Sequence, residues 1–124
     1  MVKKYFKGYL AEWQLTHKLS EMGFMVVRTP RSGRINLASP DIIAAKSGRL
    51  VVIECKSRKS GFKIPLEQLD ELREWEVKAR AKAYIGWKVA RKGWFFLKLK
   101  DVVKNKGNVG KKILEKKSIG INEL

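Results

Sequence analysis

"PDIIAAKSGRLVVIECK", residues 40–56, reads as two short apolar strands joined by a tight turn at Ser47-Gly48. If those two residues form the loop, Lys46 faces Arg49 and the same register sets Asp41 opposite Glu54. Their side chains then share one face of the hairpin, about 5 Å apart at Cβ. Alternation puts Lys56 on that face too and points Cys55 away. A three-residue turn shifts the register by one, and a bulge near Asp41 restores it.

Two carboxylates at that separation stay ionised together only with positive charge between them. A hard divalent cation answers this best. Asp41, Glu54 and a neighbouring backbone carbonyl, taken at Cys55, supply oxygen ligands. Such an ion lowers the pKa of a water and offsets charge on a phosphate in transfer. Lys56 then orients the water or stabilises the pentavalent phosphorus. The chemistry expected is metal-assisted phosphodiester hydrolysis. Glu12 adds to it from the apolar stripe of the first helix, three residues before Leu15. A carboxylate facing a core needs a partner, here the same metal through a water, or a ligand. Each acid also has a purely structural reading. Asp41 caps a turn after Pro40, Glu54 and Lys56 form a cross-strand salt bridge on a solvated face, and Glu12 is an exposed acid among lysines.

The chain has 124 residues, 44% of them hydrophobic, which suits one globular domain. No apolar run approaches the roughly 18 residues of a membrane span. The basic N-terminus lacks an apolar h-region, so no signal peptide is expected, and the expected location is cytoplasmic and nucleoid-associated. One cysteine and one histidine, His17, argue against a disulfide, a cysteine zinc site and a histidine triad. Any metal is therefore a hard, oxygen-bound ion, Mg²⁺ or alternatively Mn²⁺. Lys and Arg total 28 against 12 acids, a net charge of +16. Charge this dense answers a polyanion, with nucleic acid ahead of a membrane surface or a ribosomal scaffold.

Helical periodicity covers 7–22, where Leu15, Leu19 and Met22 share a stripe that ends at Gly23. Strands are expected at 24–28, 41–46 and 50–56, with a polar loop at 29–40 and a basic loop at 57–65. Pro65 opens a helix over 66–81, and a second strand pair spans 82–90 and 93–100. The order describes an α/β fold with one mixed sheet flanked by helices. Residues 1–103 form the domain, and 104–124 are expected as a basic tail, loosely attached or partly helical.

The hairpin resembles the PD-(D/E)xK nuclease signature, with Pro40-Asp41 and Glu54-Cys55-Lys56. The opening "KGYLAEWQLTHKLSEMGFMVVRTPRSG" (7–33) is similar to that of the archaeal Holliday junction resolvases, where a basic Gly-x-x-Ala-Glu helix precedes a strand ending in Val-Arg. The likeness runs from Lys7 to the Trp-rich strand at 93–99. It implies a restriction-endonuclease-like fold and a homodimer that nicks two opposed strands of a four-way DNA junction with Mg²⁺. It matches Asp41 and Glu54 to the metal ligands, Lys56 to the catalytic lysine and Glu12 to the helical acid. Ser32 matches a serine that assists catalysis or contacts phosphate, Gln68 a supporting glutamine, and Arg28 a basic strand end. The loop 29–40 resembles a subgroup with a longer loop, and Ser39 lies nearer to Asp41 than Ser32 does.

Lys3, Lys4, Lys7, Arg28, Arg31, Arg34, Arg58, Lys59 and Lys63 are the expected phosphate contacts, without base readout. Paired, symmetric nicks call for a two-fold dimer. Trp87, Trp94, Phe95 and Phe96 are candidates for its interface or, alternatively, for the core. Two other functions fit the same residues: a repair or restriction-type nuclease of this fold, and a non-catalytic nucleic-acid-binding protein.

Overall fold

The structure, a computed structural model, describes residues 2–30 and 37–124. Along the chain the elements run α1 (Val2–Glu21), β1 (Met25–Arg28), β2 (Ile42–Lys46), β3 (Arg49–Ser57), β4 (Phe62–Lys63), α2 (Leu66–Ala79), β5 (Lys82–Val89), β6 (Gly93–Lys98), α3 (Leu99–Lys104), β7 (Asn108–Val109) and α4 (Lys111–Lys117), then a 3-10 turn at Ile121–Glu123. Among the described residues no helix is long and apolar enough to cross a membrane.

Ser47 and Gly48 both adopt positive φ, 49° and 78°. That is the turn whose twist matches two antiparallel strands. It sets Lys46 opposite Arg49 and Ile42 opposite Ile53. The five-stranded sheet is ordered β1-β2-β3-β5-β6. β3 and β5 are parallel, joined by the crossover through α2, and the other neighbours are antiparallel. The smaller strands β4 and β7 pair by themselves.

Side-chain alternation divides the core into two layers. Ile42, Ala44, Val51, Ile53, Tyr84 and Phe96 pack with Leu15 and Leu19 of α1. Val52, Ile85, Trp87 and Leu97 pack with Leu69 and Leu72 of α2 and with Leu99 and Val102 of α3. Trp87 and Phe96 are thus core residues, which removes both from the candidate interface, whereas Trp94 and Phe95 are half-buried. Helix α1 starts five residues earlier than the apolar stripe predicts. The interior Gly8 costs about 1 kcal/mol relative to alanine, too little to break a helix whose far half is anchored in the core.

Of the two expectations for 104–124, the partly helical one holds, through α4 and the 3-10 turn, and the segment is tied into the core. Val109 is buried in the α2-side layer and Leu124 in the α1-side layer. Ile119 exchanges two backbone hydrogen bonds with Phe96, at 2.8 and 3.0 Å. The sequence hides this because its apolar residues are scattered among lysines, each serving a different short element. Gly107 (φ +86°) fastens the segment to the loop before α2: Ile64 N–H donates to its carbonyl, and a Cβ would meet Ile64 O at 2.6 Å. Gly107→Ala is expected to destabilise the protein by more than about 1 kcal/mol, read as a lower urea midpoint with an unchanged m-value.

Candidate active site

β3 outruns β2 by several residues, so Asp41 sits just before the paired strand. Its carboxylate turns to the exposed stretch of β3, where Oδ2 accepts the Cys55 N–H at 2.8 Å. This charge-assisted bond stands where a ladder carbonyl would otherwise be. The Asp41 backbone is held as well. Thr29 N–H donates to its carbonyl at 2.9 Å, and Thr29 Oγ1 donates to the Pro40 carbonyl. From α2, Trp75 Nε1 donates to the Ala38 carbonyl at 3.0 Å. Thr29 and Trp75 were missed by sequence reasoning. In sequence Trp75 falls at the same helical spacing as Leu69 and Leu72 and so reads as one more apolar residue of that helix, and Thr29 carries no signal.

Glu54 and Lys56 alternate on one face of β3, with Lys56 Nζ 3.9 Å from Glu54 Oε2 and side chains 17% and 15% exposed. The two do pair, but within one strand rather than across strands, and inside the candidate site rather than on a solvated face. Cys55 points to the opposite face, where its side chain packs on the α1-side layer.

Glu12 is only 4% exposed. Arg28 at the end of β1 donates Nε–H to its Oε1 at 3.1 Å, and the guanidinium carbon lies 4.1 Å from the centre of the Tyr9 ring. Arg28, expected as a phosphate contact, is thus first a partner of Glu12. Tyr9, which the sequence did not single out, covers it.

A groove of about 1180 Å³ gathers Glu12, Arg28, Asp41, Glu54, Lys56, Arg58, Lys59 and Gln68, together with Lys88 and Trp94. It opens at the carboxyl ends of the parallel strands β3 and β5, the usual place for a ligand in such sheets. A smaller cavity of about 90 Å³ adjoins Glu54 and Gln68 and is lined by Ser39. Lys63 is exposed outside the groove lining. Ser32, Arg31 and Arg34, and the side chains of Lys3, Lys4 and Lys7, lie outside the described residues.

The donor set favours a hard cation: carboxylates on one hairpin face and no histidine. The buried Gln68 Oε1 beside Glu54 has no hydrogen-bond partner among the described residues, and an acceptor in that state suits a cation or its water. Among the described residues, however, no three acidic, cysteine or histidine side chains form a ready ligand cluster. Glu12 is drawn toward Arg28 instead.

The sequence profile of the family described as archaeal Holliday junction resolvase (Hjc) matches residues 3–124. The chain belongs to this family. Two resolvase relatives named crossover junction endodeoxyribonuclease Hjc are 40% identical (Sulfolobus acidocaldarius) and 38% identical (Sulfurisphaera tokodaii), each over 88 residues. Both alignments take in 68% of this chain, but only 62% and 61% of the relatives, so the chain spans about three fifths of their length. The solved structure of Hjc from Archaeoglobus fulgidus, a Holliday junction resolvase, superimposes with a TM-score of 0.83. It covers 94% of this chain and 98% of that one at 24% identity, which establishes the fold as the resolvase, restriction-endonuclease-like one.

Arg28→Met is expected to cost about 1.5–3 kcal/mol of stability, because it removes a hydrogen bond to a buried carboxylate. Arg28→Lys should not restore it, since lysine lacks both the Nε–H and the planar face. Urea unfolding of these variants, and of the double variant with Glu12→Gln, measures the coupling.

Proposed function

We propose that the chain is a metal-dependent endodeoxyribonuclease that resolves four-way DNA junctions by paired nicks, working as a homodimer in the cytoplasm on chromosomal DNA. The observation that carries this is the juxtaposition of Asp41, Glu54, Lys56 and Gln68 in one basic groove, in a chain of the resolvase family. The net charge of +16 supports a polyanionic substrate.

Asp41, Glu54 and the Cys55 carbonyl would hold Mg²⁺ or Mn²⁺, with Gln68 Oε1 beside them. When bound, the ion offsets charge on the scissile phosphate and eases ionisation of a water. The remaining tasks fall to the chain itself. Lys56 holds its ammonium in the groove 3.9 Å from Glu54, where it is on hand for charge that grows on the phosphate. The Cys55 N–H fixes one Asp41 oxygen and so aims the other. Thr29 and Trp75 hold the strand entry on which Asp41 rides. Arg28 holds Glu12 in place at the groove wall.

The dimer has support in apolar residues left uncovered. Met25 and Val27 are 79% and 60% exposed on edge strand β1, on the face opposite Val26 and Arg28. Covering them with a second copy would bury apolar surface at a sheet edge. Val27→Glu is expected to lower the mass measured by light scattering from two chains to one.

A synthetic four-way junction incubated with the protein, with and without Mg²⁺, tests the activity. Cleavage should require the metal and stop with chelator, while junction binding persists. Asp41→Ala should bind and not cut, and Lys56→Ala should cut about 10²–10³-fold more slowly. Trp75→Phe keeps the ring and deletes the donor, so it should slow cleavage while leaving junction affinity in place. Equal affinity for junction and plain duplex at moderate salt would remove the resolvase claim.

A further inference from the structure

Six lysines follow Val103, at positions 104, 106, 111, 112, 116 and 117, against two acids, Glu115 and Glu123. Where this segment lies in the fold matters more than its composition. β7 pairs with β4, so Val109 faces Phe62 and Asn108 faces Lys63. Val109 is buried, and the Phe62 ring meets Trp87 edge-on at 5.2 Å. Alternation therefore turns Lys63 and Asn108 outward together, and both are exposed.

At the next residues the approach is closer still. A Cβ on Gly61 would meet Val109 O at 2.8 Å and Gly110 Cα at 3.3 Å. Gly61 belongs to the basic loop that leaves Lys56 and carries Arg58 and Lys59 to the groove. Lys111 and Lys112 begin α4 directly after Gly110, and both are exposed. The approach of Gly110 to Gly61 brings Lys111 and Lys112 beside the loop that carries Arg58 and Lys59, while Lys63 sits beside Asn108 at the other end of the β4–β7 pair. Among the described residues no ion pair engages any of these five. Like charges gathered with no acid paired to them repel, and a polyanion relieves them.

We infer that Lys111 and Lys112, with Lys63, form a second phosphate-binding patch that carries one duplex arm of the DNA onward from the groove. This rests on the proposed function and names where its substrate continues. The occupant is a duplex because the patch adjoins the groove proposed for the junction through Arg58 and Lys59, and duplex DNA presents a charge about every 1.7 Å of axis. The phosphate-binding cations expected from sequence all lie before Pro65; this patch adds the C-terminal segment to them.

The test is binding of a four-way junction to the full chain, with chelator present to stop cleavage, over a range of salt. The Lys111→Ala/Lys112→Ala variant should give a plot of log K against log salt that is less steep by about 1.8, which is about 0.9 for each phosphate no longer neutralised. Lys111→Gln/Lys112→Gln should give the same change. Lys18→Ala/Lys82→Ala removes equal charge from exposed positions on α1 and at the start of β5, away from the groove, and should leave the slope as it was. A wild-type slope in both 111/112 variants, or an equal loss in the control, overturns the patch alone. A wild-type chain that holds no junction at any salt overturns the functional reading, and the patch with it.

Discussion

The site depends on a two-residue turn. With Ser47 and Gly48 both left-handed, the β2–β3 register is set, and a slip of one residue would send every side chain of β2 to the wrong face. Because Ile42 and Ala44 are needed in the α1-side layer, Asp41 and Ile43 must face α2, where Glu54 and Lys56 also point. Core packing and site assembly are enforced by one register. The same hairpin ends unevenly, and that unevenness is useful. Where β2 stops, β3 continues, and the Asp41 carboxylate takes the Cys55 N–H that a longer β2 would have met with a carbonyl.

The two largely buried glutamates of the groove each lie beside a cation. Glu12 and Glu54 are both largely withdrawn from water, and each has a cation within reach, Arg28 and Lys56. Buried ions cost several kcal/mol each unless paired, so neither acid is a casual feature of its element. The two pairs reach the groove from opposite faces of the sheet. Glu12 and Arg28 come from the α1 side, and Glu54 and Lys56 from the α2 side. They meet only because the groove lies past the carboxyl ends of β3 and β5, where the sheet no longer separates its faces.

The C-terminal segment serves the domain in two ways. Its apolar residues close both core layers, with Val109 under α2 and Leu124 against α1. Its polar residues are left on the outside beside the basic loop. A segment with so many lysines would gain little from folding on its own. It folds here because each of its short elements borrows a partner: β4 for β7, and β6 for α4 and Ile119.

Much of this was legible in the chain alone. The hairpin, its register and the shared face of Asp41, Glu54 and Lys56 follow from a period of two and a turn that only certain residues permit. The same local rules placed α2 after Pro65, and composition alone called for a polyanionic partner. Glu12 on an apolar stripe announced a buried acid, but not its partner. That Arg28 and Tyr9 answer it, that Trp75 reaches Ala38, and that residues 104–124 belong to the core were decided only in three dimensions. These contacts join residues 16 to 37 positions apart, or elements too short to carry a period, and no local pattern encodes which distant donor will arrive.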